Sequence, residues 1–174
     1  MDLKKEIREV LDYPKEGISF KDITTLFKNR KAVRFVLDEV YNEFKSYGIT
    51  KVVGLEARGF VLGGAIADRL DAGFVPVRKK GKLPCELLSE TYVLEYGTDV
   101  VEMHKDALGP DDVVLIHDDL LATGGTAFAA LRLAQRCGVK KVYFSFICDL
   151  EFIDTPNKQK IKEHKTQVLV KYDS

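Results

Sequence analysis

The alternation of short apolar runs with helix-like segments between residues 52 and 150 constrains the fold most. The apolar runs, rich in β-branched residues, are VVGL at 52–55, FVPV at 74–77, DVVLI at 112–116 and KVYFSFICDL at 141–150. Segments with helical periodicity lie between them, GFVLGGAIADRL at 59–70 and GTAFAALRLAQRCG at 125–138. This alternation predicts an α/β fold with a mainly parallel central sheet flanked by helices on both faces. In such sheets, ligands bind beyond the carboxyl ends of the strands.

The residues before this region show a different pattern. Apolar residues at Leu3, Ile7, Val10 and Leu11 recur at helical spacing and predict a first helix. A stronger pattern over 33–47 predicts a second helix, ended by a glycine at position 48. The stretch YPKEGISFKDITTLF at 13–27 contains a proline and a glycine and predicts an ordered loop.

Two further segments lie outside the strand–helix alternation. Residues 79–104 contain YVLEY and VVEMH with Gly97 between them, which predicts a hairpin or a flexible flap. The tail TPNKQKIKEHKTQVLVKY predicts a polar helix followed by an edge strand. A length of 174 residues with 45% apolar residues fits a single domain spanning 1–174.

Composition narrows the classes of binding partner and the cellular compartment that we expect for this protein. Lys and Arg number 27 and so do Asp and Glu, so no net charge attracts the chain to nucleic acid or to an anionic membrane. Neither a signal peptide nor a membrane-spanning stretch is recognisable, and we expect a cytoplasmic protein. Cys85, Cys137 and Cys148 form no CxxC pair, which argues against a zinc knuckle and a disulfide framework.

The motif HDDLLATGGT at 117–126 carries the strongest functional signal. A predicted buried strand delivers Asp118 and Asp119 to its carboxyl end, where carboxylates can accept hydrogen bonds from vicinal sugar hydroxyls. Gly124 and Gly125 allow a tight turn whose backbone N–H groups converge on a phosphate before a helix begins. The motif therefore predicts a ribose 5-phosphate site. A solvated acidic turn before a closely packed helix is the simpler alternative, while GxxxxGK[ST] and GxGxxG motifs are absent.

Longer stretches resemble a known family. VVLIHDDLLATGGT resembles the phosphoribosyl pyrophosphate motif of the type I phosphoribosyltransferases. Four further stretches resemble the adenine phosphoribosyltransferases within that family, in order and in spacing: ISFKDIT at 18–24, GLEARGF at 54–60, FVPVRKKGKLP at 74–84 and LEYGTDVVEMHKDAL at 94–108. The resemblance covers about residues 1–150. It departs at His117, where an aliphatic residue is usual, and at DLEFIDTPNKQ, where the family often has a Gly-Arg-containing stretch.

The resemblance implies a function in purine salvage. It implies a homodimeric transferase that converts adenine and phosphoribosyl pyrophosphate into AMP and pyrophosphate, with Mg²⁺ held mainly by the substrate and no dedicated protein metal site. It also implies a small N-terminal hood at 1–30 and a flexible β-hairpin flap at 79–104. Two alternatives remain: a related transferase acting on hypoxanthine, guanine, xanthine or orotate, and a non-catalytic regulator that senses phosphoribosyl pyrophosphate.

For the nucleobase and the proton, the resemblance implies five residues. Phe20 would stack on adenine, while the main chain of Ser19 and Lys21 would read the edge of the base. A core position is the competing interpretation of Phe20. Glu95, with Tyr96 beside it, would lie on the flap and accept the proton from the attacking nitrogen.

For the anionic groups, the candidate residues come from three loops. Arg58, beside Ala57 and after an expected non-proline cis peptide, would bind pyrophosphate, as would Arg78 and Lys82, with Lys79 and Lys80 less firmly assigned. Asp118 and Asp119 would hold the ribose and stabilise the developing cation. The residues assigned to the phosphate are Leu121, Ala122, Thr123, Gly124, Gly125 and Thr126.

Overall fold

The structure, a computed structural model, describes residues 1–94 and 97–174. A sheet of seven strands forms its centre. These are β3 (Lys51–Leu55), β4 (Gly73–Lys79), β5 (Leu87–Leu94), β6 (Gly97–His104), β7 (Val113–Leu121), β8 (Lys141–Leu150) and β9 (Thr166–Tyr172). The helices are α1 (Thr24–Phe27), α2 (Arg30–Phe44), α3 (Gly59–Arg69), α4 (Gly125–Arg136) and α5 (Pro156–Lys162).

The sheet is mainly parallel, as predicted. Its strand order is β5-β6-β4-β3-β7-β8-β9, and the neighbouring pairs from β4 to β9 all run parallel. β5 and β6 pair antiparallel with each other, and β6 joins β4 antiparallel through Arg78↔Glu102 and Lys79↔Val101. This short junction attaches the predicted hairpin to the parallel part of the sheet. At the opposite edge, β9 pairs parallel with β8, as the tail pattern predicted.

Helices cover both faces of the sheet because each has one apolar face. On one face, α2 and α3 contribute Val36, Val40, Leu62 and Ile66 to a buried cluster. On the other face, α4 contributes apolar side chains such as Leu131 to a second cluster. The predicted flanking of the sheet by helices is therefore confirmed. Among the described residues, no helix has both the length and the apolar character needed to cross a bilayer.

The N-terminal segment differs from its prediction. Instead of a helix over 3–11, the chain forms a short 3₁₀ helix at Leu3–Glu6 and then a strand, β1, at Arg8–Leu11. β1 pairs antiparallel with β2, Ser19–Asp22, which lies inside the predicted loop at 13–27 together with α1. The helical prediction was wrong because Leu3 and Ile7 are buried whereas Leu11 is 72% exposed. Two residues with apolar contacts do not make a helical face.

Strand β7 is longer than predicted. It runs to Leu121 rather than ending at residue 116, because β8 continues to pair with it as far as Leu121↔Asp149. Asp118 and Asp119 therefore lie within the strand instead of following it. The ladder with β8 pairs His117, Asp118, Leu120 and Leu121, and the turn that follows is confined to Ala122–Gly124 before α4 begins at Gly125.

Candidate active site

A small cavity lies where β7 ends and α4 begins. Its volume is about 80 Å³, and Asp118 and residues 120–127 line it. Within the described part of the chain, the backbone N–H groups of Thr123 and Gly124 donate no hydrogen bond. The N–H groups in the first turn of α4 also lack intrahelical acceptors. The N–H group of Gly125 donates a long hydrogen bond, 3.4 Å, to Oγ1 of Thr123. The predicted phosphate residues thus surround one cavity lined mostly by N–H donors without a protein acceptor, which suits an oxyanion.

Gly124 and Gly125 are both required by this loop. Gly124 has φ +79°, and a Cβ atom there would lie 3.1 Å from Cδ1 of Ile161 and from Cγ of Lys158. A Cβ atom on Gly125 would lie 3.0 Å from Cδ2 of Tyr92. The loop therefore packs between the flap strand β5 and helix α5, and only glycine fits both positions without displacing neighbours.

Asp118 and Asp119 are adjacent in sequence but differ in their contacts. Asp119 is 3% exposed, and its Oδ2 lies 2.5 Å from Nε of Arg58. Asp118 accepts a hydrogen bond from the backbone N–H of Asp119 at 2.9 Å and makes no ion pair among the described residues. Burial, reinforced by the Asp119 charge, raises the pKa of Asp118 well above its usual value. The pair thus combines a carboxylate paired with Arg58 and a carboxyl group whose negative charge is disfavoured by burial and by its neighbour.

Gly59 explains how the acids approach α3. A Cβ atom there would lie 2.9 Å from the carbonyl oxygen of His117 and 3.0 Å from Oδ1 of Asp118. The first turn of α3 therefore packs directly against β7 at the acids. The cis peptide bond in this turn joins Glu56 to Ala57, and Arg58 is the N-cap residue of α3. The turn brings Arg58 to Asp119, a contact that sequence reasoning did not predict.

Phe20 lies beside Arg58, the residue that is paired with Asp119. The guanidinium carbon of Arg58 is 5.9 Å from the centroid of the Phe20 ring, and Tyr13 contacts that ring edge-on at 5.2 Å. Phe20 is half-buried and belongs to neither of the apolar clusters found among the described residues. The packing of Phe20 therefore does not support its interpretation as a core residue. Its ring lies beside Arg58 instead.

The side chains of Ser19 and Lys21 are occupied elsewhere. Both bind the carboxylate of Glu9, Lys21 with Nζ at 2.6 Å from Oε1. Their neighbour Phe20 points to the other face of β2, since side chains alternate along a strand. Only the main chain of residues 19 and 21 is left for a ligand lying against Phe20.

The basic segment 78–82 divides into paired and exposed cations. Arg78 lies 3.2 Å from Oε1 of Glu56, and Lys79 binds Asp99 and Tyr92. Although burial opposes it, the hydrogen bond from the backbone N–H of Lys79 and the charge of Arg78 hold the pKa of Glu56 below its usual value. The side chains of residues 80 and 82 are exposed. Arg78 and Lys82 are the two residues of this segment assigned to pyrophosphate, and Arg78 is already paired with a carboxylate.

Two predicted residues, Glu95 and Tyr96, lie outside the described residues. Sequence reasoning missed three residues that support the site. Glu56 is paired with Arg78, Lys158 packs against Gly124, and Asp149 is paired with Lys158. An acid directly after the buried strand VVGL was a usable signal for Glu56, because strand ends meet at the ligand-binding edge. No local signal marked Asp149, which falls within an apolar strand.

Comparisons with known proteins show the family to which this chain belongs. The family model of the phosphoribosyl transferase domain matches residues 21–171. The adenine phosphoribosyltransferase of Phocaeicola vulgatus is 58% identical over 148 residues, which is 85% of each chain. That of a Bradyrhizobium species is 47% identical over 99% of this chain and 97% of its own length.

Solved structures agree as well. The adenine phosphoribosyltransferase of Thermoanaerobacter pseudethanolicus superposes with a TM-score of 0.91 at 43% identity, over 98% of each chain. The Giardia lamblia enzyme, solved with 9-deazaadenine, gives 0.91 at 38% identity, over 99% of this chain and 97% of its own. The chain therefore belongs to the phosphoribosyl transferase family and, within it, to the adenine phosphoribosyltransferases.

Proposed function

We propose that this chain transfers the 5-phosphoribosyl group from phosphoribosyl pyrophosphate to adenine, giving AMP and pyrophosphate in purine salvage. The observation that carries the proposal is a continuous path of contacts. It runs from the ring of Phe20 through Arg58 to Asp119, whose neighbour Asp118 lines the cavity at the end of β7. Along this path an aromatic ring, a pair of acids and an N–H-lined cavity match the base, the ribose and the phosphate of AMP.

The two acids would stabilise the transition state of the sugar. As the bond to pyrophosphate lengthens, positive charge develops on the anomeric carbon and the ring oxygen. Asp118 and Asp119 would accept hydrogen bonds from the 2- and 3-hydroxyls, which fixes the ring and places negative charge beside the developing cation. Arg58 supports this role because its pairing with Asp119 keeps that carboxylate in place.

The leaving group would be bound by cations on the neighbouring loops. Arg58, Arg78 and Lys82 are the residues we assign to pyrophosphate. Two of them are paired with carboxylates, Arg58 with Asp119 and Arg78 with Glu56. A guanidinium carries five N–H donors, so each arginine can bind a phosphate oxygen while retaining or exchanging its carboxylate partner.

Magnesium fits the site as a companion of the substrate. Among the described residues, no three His, Cys, Asp or Glu side chains converge on one point. Mg²⁺ commonly uses one or two carboxylates together with substrate phosphates. Asp118, which has no ion pair in the described chain, is the carboxylate available to it. When bound, the ion would neutralise charge on the departing pyrophosphate.

The base would stack on Phe20 and lose its proton to the flap. Glu95 is assigned as the proton acceptor and Tyr96 as its neighbour, by their position in the family-like LEYG stretch. Closure of residues 79–104 over the site would exclude water, which otherwise hydrolyses an activated sugar. Helix α4 supports this position because Gly125 already contacts Tyr92 of β5.

We further propose a homodimer in the cytoplasm. Val61 on α3 and Phe74 on β4 are 51% and 37% exposed, and an apolar surface of this kind suits a subunit contact. The three cysteines are free thiols, which suits a reducing compartment. Light scattering combined with size-exclusion chromatography measures the mass of the particle, and a monomer at micromolar concentration would refute the dimer.

The test of the function is an assay of parallel bases. Radiolabelled adenine, hypoxanthine, guanine, xanthine and orotate are each incubated with phosphoribosyl pyrophosphate and Mg²⁺. We expect labelled AMP to accumulate far faster than any other nucleotide. Turnover of another base alone would reassign the substrate, and binding of phosphoribosyl pyrophosphate without turnover of any base would favour a regulator.

A further inference from the structure

A buried ion pair lies next to the turn at residues 122–124, which we call the phosphate loop. Nζ of Lys158 on α5 is 2.5 Å from Oδ1 of Asp149 at the end of β8, and the two side chains are 2% and 1% exposed. Nζ of Lys158 also donates to the carbonyl oxygen of Leu150 at 2.7 Å. Lys162, half exposed, reaches the other carboxylate oxygen of Asp149 at 3.3 Å. Burying two charges is costly, so a pair of this kind calls for a specific role.

The same lysine forms the floor of the turn at Gly124. A Cβ atom on Gly124 would lie 3.1 Å from Cγ and 3.2 Å from the backbone N of Lys158. One residue before α5, Thr155 donates its hydroxyl to the carbonyl oxygen of Thr123 at 2.6 Å. Its oxygen also accepts the backbone N–H of Lys158 at 3.2 Å, as an N-cap. Two consecutive residues of the phosphate loop thus rest on one turn of the tail.

The contacts with the tail do not use the N–H donors of the loop. Thr155 occupies the carbonyl of Thr123, and Lys158 packs against Gly124, so the tail contacts one side of the loop. The N–H groups of both loop residues stay unpaired in the described chain. Without this support, Gly124 could leave its left-handed conformation at little cost, since glycine populates both signs of φ.

We propose that Lys158, fixed by Asp149, and Thr155 are positioning residues that hold the loop in its phosphate-binding form and so determine affinity for the 5-phosphate. The inference rests on the proposed function, because it assumes that the cavity takes a sugar phosphate. None of the three residues touches the ligand. They act through Thr123 and Gly124, and this proposal gives the tail of the chain a role at the site.

The test compares two ligands that differ only in the 5-phosphate, AMP and adenosine. Their dissociation constants are measured by calorimetry or ligand-detected NMR for the wild type and four variants. Lys158→Met removes the positive charge and keeps the length of the side chain, whereas Lys158→Arg keeps the positive charge. Thr155→Val removes only the hydroxyl. Lys160→Met, on the exposed side of α5 and paired only with Glu163 among the described residues, is the matched control.

We expect Lys158→Met to weaken AMP binding about tenfold or more while adenosine binding changes less than about twofold, because misplacing donors by a fraction of an ångström is costly. Thr155→Val should show the same selective loss at smaller size. Lys158→Arg should recover most of the AMP affinity, and Lys160→Met should match the wild type.

Equal losses for both ligands, or no loss for AMP, would overturn the inference. If Lys158→Met does not fold, Thr155→Val decides alone by the same comparison, since it leaves the ion pair intact. If the wild type itself binds AMP no better than adenosine, the phosphate site is wrong and the proposed function fails with it. That outcome is distinct from a failed inference, in which the wild type prefers AMP and the variants keep that preference.

Discussion

The two ends of the proposed site offer different kinds of donor to anions. At the phosphate end, the donors are backbone N–H groups of the loop after β7, held between Tyr92 and Lys158 by close packing at Gly124 and Gly125. At the pyrophosphate end, the donors are long side chains, and Arg58 and Arg78 already have carboxylate partners. At the first end the donors are held in place by packing, while at the second end the cationic side chains are already paired with carboxylates.

This difference indicates how the two ends respond to ligand. A backbone site loses little conformational entropy when a phosphate binds, since its donors are fixed beforehand. A guanidinium paired with a carboxylate must share or exchange its partner to bind an anion. We therefore expect pyrophosphate to compete with Asp119 for Arg58 and with Glu56 for Arg78. Weak retention of pyrophosphate suits a leaving group that has to depart, whereas the 5-phosphate is retained from substrate to product.

The largest effect is expected from the acids that join the two ends. Asp118→Asn with Asp119→Asn should lower kcat by about two to four orders of magnitude with the fold intact, because the charge facing the ribose is lost and Arg58 loses its partner. Steady-state kinetics and circular dichroism measure this. The exposed pair Asp106→Asn with Asp111→Asn is the control, and unchanged kinetics in the site variant would remove the acids from the mechanism.

Glu95→Gln should act on chemistry rather than on binding. If Glu95 takes the proton in the transition state, kcat falls by about 10²-fold or more while the KM for adenine changes little. Initial rates over a range of adenine concentrations separate the two parameters. A change confined to KM would make Glu95 a binding residue.

Gly124→Ala tests whether the phosphate end is preformed. The new methyl group would sit at φ +79° and against Ile161 and Lys158, so the loop must shift. We expect the KM for phosphoribosyl pyrophosphate to rise about tenfold. Gly64→Ala, where no neighbour lies within 4 Å, should leave it unchanged. Equal KM values for the two variants would show that the loop is not preformed.

Glu56→Gln tests the internal competition at the other end. The amide keeps an acceptor for the backbone N–H of Lys79 but releases Arg78 from its ion pair. We expect pyrophosphate to inhibit about two- to fivefold more strongly, the size of a partly exposed pair. The exposed Glu86→Gln serves as the control. Weaker inhibition in Glu56→Gln would mean that the carboxylate orients Arg78 instead of competing for it.

His117 should affect stability and not catalysis. Burial lowers the pKa of His117 to about 4 from 6.5. Between those values the unfolded imidazole binds a proton that the native one does not, so acid stabilises the unfolded state. We expect the wild type to lose about 2 kcal/mol between pH 7 and pH 5, and His117→Leu to lose less. Urea unfolding at both pH values measures this, with His104→Gln as control. Equal losses in all three proteins would refute the assignment.

The sequence predicted the elements whose pattern is local and repeated. Helix α3 and strands β3, β4 and β8 lie within a few residues of their predicted bounds, because apolar runs and helical periodicity record burial directly. The strand β1 was missed because its residues are largely exposed and therefore show no alternation of apolar and polar residues. The end of β7 was missed because two charged residues lie inside a ladder, where pairing with β8 outweighs their preference for a turn.

The candidate site was predicted by residue but not by contact. The motif at 117–126 contains its ligand groups in consecutive positions, so reading them needed no tertiary information. The partners of Arg58 and Arg78 come from other strands, and sequence spacing does not specify which carboxylate an arginine meets. The contacts of Lys158 and Thr155 with the loop could not be predicted from the sequence either, because they depend on how the tail folds back onto the end of β7.

A crystal structure with AMP bound tests the central claim most directly. We predict the 5-phosphate among the backbone N–H groups of residues 123–126, with the ribose hydroxyls hydrogen-bonded to Asp118 and Asp119 and the base on Phe20. A phosphate bound elsewhere, or a ribose whose hydroxyls point into solvent away from both acids, would contradict it.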